Sequence, residues 1–198
     1  MSEFRRRMLG IENKKYELVF HLDTIIYGNT YRWDNYEDAN ITPSNVDEII
    51  ISYNYEIRNS DSYSSSRLDY FFSNELEGYM ESDAAYIFEI SGSSWESGNV
   101  IANNSTVRGP YTSGSGSSEV NYIDFNNPDD TYLTLTGNVN IKCVVNGDSL
   151  DITLKVTQGN STKEINYSTP FLKFRRYLRG ETKGLAKVRD FSIFVLYK

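Results

Sequence analysis

The chain has 198 residues and a formal net charge of −7, and its composition already excludes several classes of protein. The hydrophobic fraction is only 39%, but 16 Tyr, 10 Phe and 2 Trp provide apolar surface that a folded core can bury, which argues against disorder. The single Cys143 and the single His21 exclude an internal disulfide framework and metal centres with several Cys or His ligands. No stretch reaches the roughly 20 apolar residues of a membrane span, so no membrane insertion is expected.

Charge is distributed unevenly along the chain. Residues 1–20 carry five basic and three acidic groups, residues 170–198 carry eight basic and two acidic groups, and the segment between them has a net charge of −15. An acidic body does not attract nucleic acid, so no nucleic-acid partner is expected. The basic ends either contact acidic surfaces, on this chain or on a neighbouring subunit, or are ordinary solvated charge. We predict a basic anchoring arm over residues 1–14 and a single β-sandwich domain over residues 15–198.

A period-two alternation of apolar and polar residues dominates the chain and predicts β-strands. It begins at Tyr16, Leu18, Phe20 and Leu22. The predicted strands are 16–22, 46–57, 84–90, 120–125, 131–136, 163–167, 171–178 and 188–197, together with a hairpin around residue 146. The Ser- and Gly-rich tracts 59–66 and 111–118 are predicted loops, and a helical turn or two is predicted around 73–82. About ten strands without helix–strand alternation predict an all-β fold with little helix, an antiparallel β-sandwich of the jelly-roll kind.

The sharpest local prediction is the hairpin around Asn146-Gly147. Apolar residues occupy positions 139, 141, 143 and 145 before this dipeptide and positions 150, 152, 154 and 156 after it. Asn-Gly favours a type I′ turn, in which both central residues have a positive φ. Such a turn pairs Val145 with Asp148, so that paired residue numbers add up to 293. This register puts the apolar residues on one face and sets Lys142 opposite Asp151 on the other.

Aromatic side chains concentrate in two segments that we predict to be loops. Tyr31, Trp33 and Tyr36 lie among amides and acids in the segment 27–38, and Trp95 is flanked by small polar residues. Sugars bind where an aromatic face stacks on the pyranose ring while carboxylates or amides take the hydroxyl groups. The functional hypothesis is therefore glycan contact by these four aromatic residues. The alternative is that they cap or plug the sandwich.

Acidic clusters at Asp34, Glu37 and Asp38, and at Asp129 and Asp130, carry the oxygen ligands that calcium uses. Neither cluster follows the EF-hand spacing, and the run 126–130 is first of all a turn. We therefore predict no metal site and no other cofactor.

The sequence offers little support for catalysis. A Ser-His-Asp triad would have to use His21, which alternates with strand residues, and no Gly-x-Ser-x-Gly nucleophile motif occurs. Cys143 lies on the apolar face of the hairpin, where a thiol stays protonated. A glycosidase needs only two carboxylates, but the acidic run 75–81 lacks the Glu-x-Asp-x-x-Glu strand of jelly-roll glycosidases. Phosphate-binding glycine loops are absent, and we expect a protein that is not an enzyme.

Two segments resemble a family of phage proteins. The opening Phe4-Arg-Arg-Arg-Met-Leu9 resembles the leader of small structural proteins of gut-bacterial tailed phages, the crAss-like group and their relatives. Near the other end, Pro170-Phe-Leu-Lys-Phe174 and the final strand 186–197 look like the closing strands of laminin-G/concanavalin-like jelly rolls in such proteins. The two segments lie within the first ten residues and the last third of the chain.

The resemblance implies a structural subunit of a phage particle, a fibre, tail or head accessory protein, with no catalytic residues. It further implies a homo-oligomer whose partners are other virion proteins and whose location is the virion. The N-terminus has no apolar h-region, so we expect synthesis in the host cytoplasm without a signal peptide. Docking on the partner is assigned to the arm residues Phe4, Arg5, Arg6, Arg7, Met8 and Leu9. The alternative is a lectin-like module that attaches to host surface glycans.

Overall fold

The computed structural model describes residues 15–25, 30–32, 41–58, 65–73, 86–97, 100–111, 122–127, 134–171, 177–183 and 185–198. Over these residues the chain forms twelve β-strands and no helix. The strands are β1 (Glu17–Ile25), β2 (Thr30–Arg32), β3 (Val46–Arg58), β4 (Ser65–Ser73), β5 (Tyr86–Ser97), β6 (Val100–Tyr111), β7 (Tyr122–Asn127), β8 (Thr134–Asn146), β9 (Ser149–Gln158), β10 (Ser161–Pro170), β11 (Tyr177–Lys183) and β12 (Leu185–Tyr197).

The twelve described strands form two six-stranded antiparallel sheets. Sheet A has the order β1-β12-β3-β8-β9-β10, and sheet B has the order β2-β11-β4-β5-β6-β7. The meanders β4–β7 and β8–β10 each stay within one sheet, whereas β1, β2, β3, β11 and β12 alternate between the two sheets. The first and the last described strands therefore both lie in sheet A, where β1 and β12 pair along their length. The predicted all-β antiparallel jelly-roll sandwich is confirmed.

Most of the predicted strands overlap an observed strand, and the larger differences fall in sheet B. The alternation does not predict β2, β4 or β6, and β5 continues to Ser97, beyond the predicted end at residue 90. β4 and β6 are rich in Ser, Asn and charged residues, and their ladders with β5 hold them in place despite a weak sequence pattern. The predicted loop tracts overlap the start of β4 and the end of β6. Of the predicted helical turn, Ser73 ends β4, and residues 74–82 lie outside the described residues.

The core lies between the two sheets, and most of the core side chains that the structure describes belong to sheet A. Burial alternates residue by residue along β9, as period-two geometry requires for a strand with one covered face. Val107 from β6 and Ile123 and Phe125 from β7 belong to the same core, so sheet B packs on this face. The other core residues described in the structure include Ile49, Ile51, Tyr53, Val139, Ile141, Cys143, Leu150, Ile152, Leu154, Val156, Phe191 and Ile193 of sheet A.

The β8–β9 hairpin forms where predicted but in a register shifted by two residues. Asn146 pairs with Ser149 and Cys143 with Ile152, so paired residue numbers add up to 295 and not to 293. The turn residues are Gly147 and Asp148, and of these only Gly147 has a positive φ, of 60°. This is the pattern of a type II′ turn, which needs Gly at its first central position only. A slip of two residues leaves every side chain on its predicted face.

The register shift makes one predicted charge pair wrong. Lys142 lies opposite Thr153 and not opposite Asp151. Its ammonium group instead reaches across to β3, where Nζ lies 3.2 Å from Oε2 of Glu48. The hairpin between β9 and β10 repeats the same turn design, with Gly159 at a φ of 56° and Ser161 paired with Gln158.

The edge strands β10 and β7 are joined across the sandwich by one side chain. Lys163 Nζ donates a hydrogen bond of 2.6 Å to the backbone oxygen of Asp124 and lies 5.2 Å from the centre of the Phe125 ring. Nearby, the Tyr167 hydroxyl lies so close to Gly109 that a Cβ at that position would overlap with it. The two sheets therefore meet tightly at this edge.

The arm predicted over residues 1–14 lies outside the described residues, and its separation from residues 15–198 stays a prediction.

Candidate functional site

A groove of about 460 Å³ lies at the end of sheet A next to the β9–β10 turn. Because successive side chains of a strand point to opposite faces, Asn54 and Glu56 of β3 face outward while Tyr53 and Tyr55 point into the core. The groove residues come from β3, β8, β9, the β9–β10 turn and β12, and they are Asn54, Tyr55, Glu56, Thr136, Gly137, Thr157, Gly159 and Arg189.

A row of polar side chains crosses the sheet beside this groove. Pairing in register places Arg189, Asn54, Asn138, Thr157 and Thr162 on five adjacent strands. At an interstrand spacing of 4.7–4.9 Å, the row spans about 19 Å. The outer face of sheet A therefore offers a continuous line of hydrogen-bonding groups.

Three of the polar side chains next to the groove hold one another in fixed orientations. Asn54 Nδ2 donates to Asp190 Oδ2 at 3.2 Å, and Asn138 Nδ2 donates to Asn54 Oδ1 at 3.0 Å. Asn138 Nδ2 also lies 3.4 Å from the backbone oxygen of Tyr53. This chain of hydrogen bonds assigns the amide orientation of both asparagines, because both side-chain nitrogens have an acceptor and the Asn54 oxygen has a donor.

One carboxylate of the groove, that of Glu56, is paired with two cations. Arg189 donates to Glu56 Oε2 at 3.1 Å, and Lys187 Nζ lies 3.9 Å from Glu56 Oε1. All three side chains are partly exposed, so the pairs contribute at most about 1 kcal/mol to stability. Their main effect is to orient the Arg189 guanidinium along the wall of the groove, with further N–H groups available to a ligand.

Asp190 adopts a backbone conformation that is unusual for a residue other than glycine. Its φ is 52°, and the pairing of β12 with β3 shifts register between Arg189 and Ser192, which marks a β-bulge. The left-handed region costs a residue with a Cβ about 1–2 kcal/mol, although Asp tolerates it better than most. The bulge leaves Arg189 and Asp190 exposed while Phe191 enters the core.

Beneath the groove the structure is tightly packed. The Tyr55 hydroxyl donates a hydrogen bond of 2.6 Å to Gln158 Oε1, and Tyr55 is buried. Its ring lies directly against Gly137, where a Cβ would overlap with ring atoms. Glycine is thus required at position 137 by the close approach of the aromatic ring.

Ser192, His21 and Asp23 form a hydrogen-bonded chain on the same outer face. His21 Nδ1 lies 2.9 Å from Ser192 Oγ, and His21 Nε2 lies 2.9 Å from Asp23 Oδ1. In a catalytic triad the serine is accessible and the aspartate is buried. Here the order is reversed, because Ser192 is 4% exposed while the Asp23 side chain is 94% exposed. Ser192 Oγ also lies in donating range, 3.2 Å, of the Asp190 backbone oxygen. These hydrogen bonds therefore connect β1 to β12, and the buried Ser192 hydroxyl is not presented to solvent as a nucleophile.

A buried carboxylate lies on the outer face of sheet A, towards the opposite end of β3 from the groove. Glu48 accepts a hydrogen bond from the Tyr16 hydroxyl, and Lys142 Nζ lies 3.2 Å from the same carboxylate. Glu48 is only 6% exposed, so these partners replace the water that a free carboxylate would bind. Burial, together with the hydrogen bond to Glu48, raises the pKa of the Tyr16 hydroxyl above its usual range.

A second, shallow depression of about 430 Å³ lies beside the β8–β9 turn and is lined by Asp148, Ser149, Ser168, Thr169 and Pro170. Next to it, the Asp151 carboxylate accepts hydrogen bonds from Ser168 Oγ at 2.6 Å and from Asn146 Nδ2 at 3.2 Å. The Ser168 hydrogen bond, followed by that of Asn146, lowers the pKa of Asp151. These contacts hold the turn in place.

None of the aromatic residues predicted to bind glycans is among the described residues that line this groove. The structure describes the backbone of Tyr31 in β2, opposite Leu178, and of Trp95 in β5, opposite Ala102. Both belong to strands of sheet B, so the prediction that they occupy loops is wrong; backbone pairing outweighs the small polar neighbours in the sequence. Trp33 and Tyr36, the arm residues 4–9 and both acidic clusters weighed as calcium sites lie outside the described residues.

Sequence reasoning missed the groove residues themselves. Asn54 and Glu56 fall in the predicted strand 46–57, and Arg189 and Asp190 fall in the predicted strand 188–197. Their outward positions follow from the period-two pattern. Their proximity does not, because it depends on β12 lying between β1 and β3.

The described residues contain no group of three or more His, Cys, Asp and Glu side chains able to hold a metal ion. In the same residues there is no helix with the length and apolar character needed to cross a membrane.

Fold and groove together define a jelly-roll β-sandwich with a polar site on one sheet face. Neither a family model nor a curated protein matches the sequence. The legume lectin-like domain from Entamoeba histolytica is 12% identical, with a TM-score of 0.36, over 90% of this chain and 82% of that one. The CBM2 module of the evolved Dit of Lactobacillus casei BL23 phage J-1 is 12% identical, with a TM-score of 0.34, over 93% and 97%. The metal-free Emp46p carbohydrate recognition domain is 11% identical, with a TM-score of 0.32, over 76% and 69%.

Similarity at this level does not bear on the ligand.

Proposed function

We propose that the protein is a non-catalytic carbohydrate-binding module whose ligand lies in the groove of sheet A. The observation that carries this proposal is the fixed network of Asn54, Asn138 and Asp190 beside the Glu56–Arg189 ion pair. Saccharide hydroxyl groups both donate and accept hydrogen bonds. Amide, carboxylate and guanidinium groups held in fixed positions can pair with them in both senses.

The size and exposure of the groove suit a weak, small ligand. Its volume of about 460 Å³ falls within the range of about 300–1,000 Å³ for small-molecule sites. Its polar groups are open to water, so each hydrogen bond to a ligand replaces one to water and adds little free energy. We therefore expect a single-site Kd on the order of 1 mM. The homo-oligomer predicted from the sequence would raise this through avidity.

The same geometry favours binding over hydrolysis. A glycosidase needs one carboxyl group that donates a proton and a second that attacks or activates water. The Glu56 carboxylate has two cationic partners, and the Asp190 carboxylate accepts a hydrogen bond from Asn54. Both are engaged as acceptors, an arrangement that suits recognition of hydroxyl groups better than proton donation.

A glycan array with multivalent protein tests the proposal. Biotinylated protein assembled on streptavidin compensates for weak single-site binding. We expect selective binding by the native chain and loss of that binding in Asn54→Ala. The matched control is Thr153→Ala, which removes another outward hydrogen bond of sheet A, that of Thr153 Oγ1 to Asn166 at 2.7 Å, away from the groove. A blank array with well-folded native protein would overturn the proposal.

The aromatic segment predicted from the sequence supplies a competing site for the same function. Trp33→Ala on the same array separates the two sites. Loss of binding in Asn54→Ala but not in Trp33→Ala supports the groove. The reverse result would move the binding site to the aromatic segment and overturn the assignment of the groove.

We also propose, from the sequence, that the chain is a structural subunit of a phage particle. The charge partition supports it, since short basic ends on an acidic body suit docking between subunits. The test is deletion of residues 1–10, which should abolish incorporation into particles while the β domain remains folded. Normal incorporation of the truncated chain would overturn this second proposal.

A further inference from the structure

We infer that Asp190 and Asn54 form a recognition site for a vicinal diol, the pair of adjacent hydroxyl groups on a pyranose ring. The inference rests on the proposed function and specifies both its ligand class and the residue that decides specificity. Asp190 Oδ2 and Asn54 Nδ2 lie 3.2 Å apart, so an acceptor and a donor stand side by side. Two neighbouring hydroxyl oxygens have a similar spacing, which allows one to donate to the carboxylate while the other accepts from the amide.

The orientation of Asn54 leaves the right atoms available. Asn138 occupies Asn54 Oδ1, so the Asn54 amide nitrogen must face Asp190. An amide nitrogen carries two hydrogens and a carboxylate has a second oxygen. Among the described residues, no other side chain donates to Asp190 Oδ1 or accepts the second hydrogen of Asn54 Nδ2. The pair therefore keeps one donor and one acceptor for a ligand.

Folding alone does not account for a carboxylate at position 190. The backbone there is left-handed, with a φ of 52°, a conformation that glycine adopts without steric cost. The hydrogen bond from Asn54 is exposed to solvent and stabilises the fold little. A glycine would thus form the same bulge at least as well. What the aspartate adds is an acceptor beside the groove, and unusual backbone geometry of this kind concentrates at binding sites.

Substitution of Asp190 separates a binding role from a structural one. The probes are the methyl α-pyranosides of glucose, galactose and mannose, which carry different diol geometries, with their deoxy analogues, titrated by saturation-transfer NMR. Asp190→Gly should keep or raise the melting temperature and weaken binding at least tenfold. Asp190→Asn should weaken binding less, because it keeps an acceptor oxygen. Asp23→Gly is the matched control, since it removes an exposed carboxylate on β1 outside the groove.

Removal of either hydroxyl of the recognised diol should abolish the signal with native protein. Equal binding by Asp190→Gly and the native chain would overturn the inference while leaving the proposed function intact. Native protein that binds on the array but tolerates every deoxy analogue would also overturn it. Loss of binding on addition of EDTA would show that a bridging cation holds the diol, and it would overturn direct recognition by Asp190 and Asn54. If native protein bound nothing on the array, the proposed function itself would be overturned.

Discussion

Asn54 and Asp190 are hydrogen-bonded across two neighbouring strands although 136 residues separate them in the sequence. The contact exists because β12, the last strand, inserts between β1 and β3 in sheet A. A β-bulge at Asp190 then turns its carboxylate towards Asn54. The candidate site therefore depends on the pairing of the C-terminal strand β12 with β3, since each strand supplies one of the two residues.

The register of the β8–β9 hairpin can be tested by cross-linking. Cys143 pairs with Ile152 in the structure, whereas the register predicted from the sequence pairs it with Leu150. Directly paired residues of antiparallel strands have Cα atoms about 4.5–5.5 Å apart, within the range that a disulfide spans. Ile152→Cys should form a disulfide with Cys143 when the chain is refolded under oxidising conditions, as measured by mass spectrometry without reduction.

The control is Leu150→Cys, which the structure pairs with Val145. It should retain two free thiols after unfolding. A disulfide in this variant but not in Ile152→Cys would show that the hairpin adopts the register of the type I′ turn.

Gly137→Ala should destabilise the protein. The added Cβ would overlap with the Tyr55 ring, which is buried and hydrogen-bonded to Gln158. Overpacking of a filled core costs about 1–3 kcal/mol, which lowers the melting temperature by about 2–4 °C per kcal/mol in a chain of this size. Urea denaturation measures the change in unfolding free energy.

The matched test of this mechanism is a double-mutant cycle. In a Tyr55→Ala background the ring is gone, so Gly137→Ala should cost much less than in the native chain. An equal cost in both backgrounds would show that the ring contact is not the cause.

Cys143 should be unreactive in the folded protein. It is fully buried in the core, and burial raises the pKa of its thiol to about 12, so almost no thiolate exists at pH 8. Iodoacetamide should label the native chain only after unfolding. Val144→Cys places a thiol on the adjacent outward-facing, exposed position and should be labelled in the folded state. Rapid labelling of Cys143 in the folded native chain would contradict the packing of β8.

Stability should decrease at alkaline pH, in part through Tyr16. Its pKa is raised in the folded state by burial and by the Glu48 carboxylate, while an unfolded tyrosine has a pKa of about 10. Stabilisation by the neutral hydroxyl is therefore fully present below pH 10 and is lost as the pH rises towards the folded-state pKa. Tyr16→Phe should show a smaller decrease in unfolding free energy than the native chain over that range.

Urea denaturation at pH 8 and at pH 10.5 provides the comparison. Burial also raises the pKa values of Tyr167 and Tyr197, so Tyr16→Phe should reduce the alkaline loss without abolishing it. An identical loss in Tyr16→Phe and the native chain would show that the Tyr16–Glu48 contact does not form in solution.

The class of fold, and the face on which each side chain of the clearest strands lies, follow from the amino-acid sequence alone. Alternation such as that of β9 assigns Leu150, Ile152 and Leu154 to the core whatever strand lies beside them, because successive side chains of a strand must point to opposite faces. For the same reason it assigned Asn54 and Glu56 to the outer face. Where the pattern is weak, as in β4 and β6, pairing with neighbouring strands decides the structure.

Which of these residues contact one another depends on how the strands are arranged in the folded chain. A two-residue slip of the β8–β9 hairpin preserves both faces, so hydrophobic pattern could not distinguish Lys142 opposite Asp151 from Lys142 opposite Thr153. Nor could it place Asp190 beside Asn54, since that contact depends on strand order and on a bulge at one residue. Alternation is a local property of each strand, whereas a binding groove is formed by neighbours that only the packing of the whole sheet brings together.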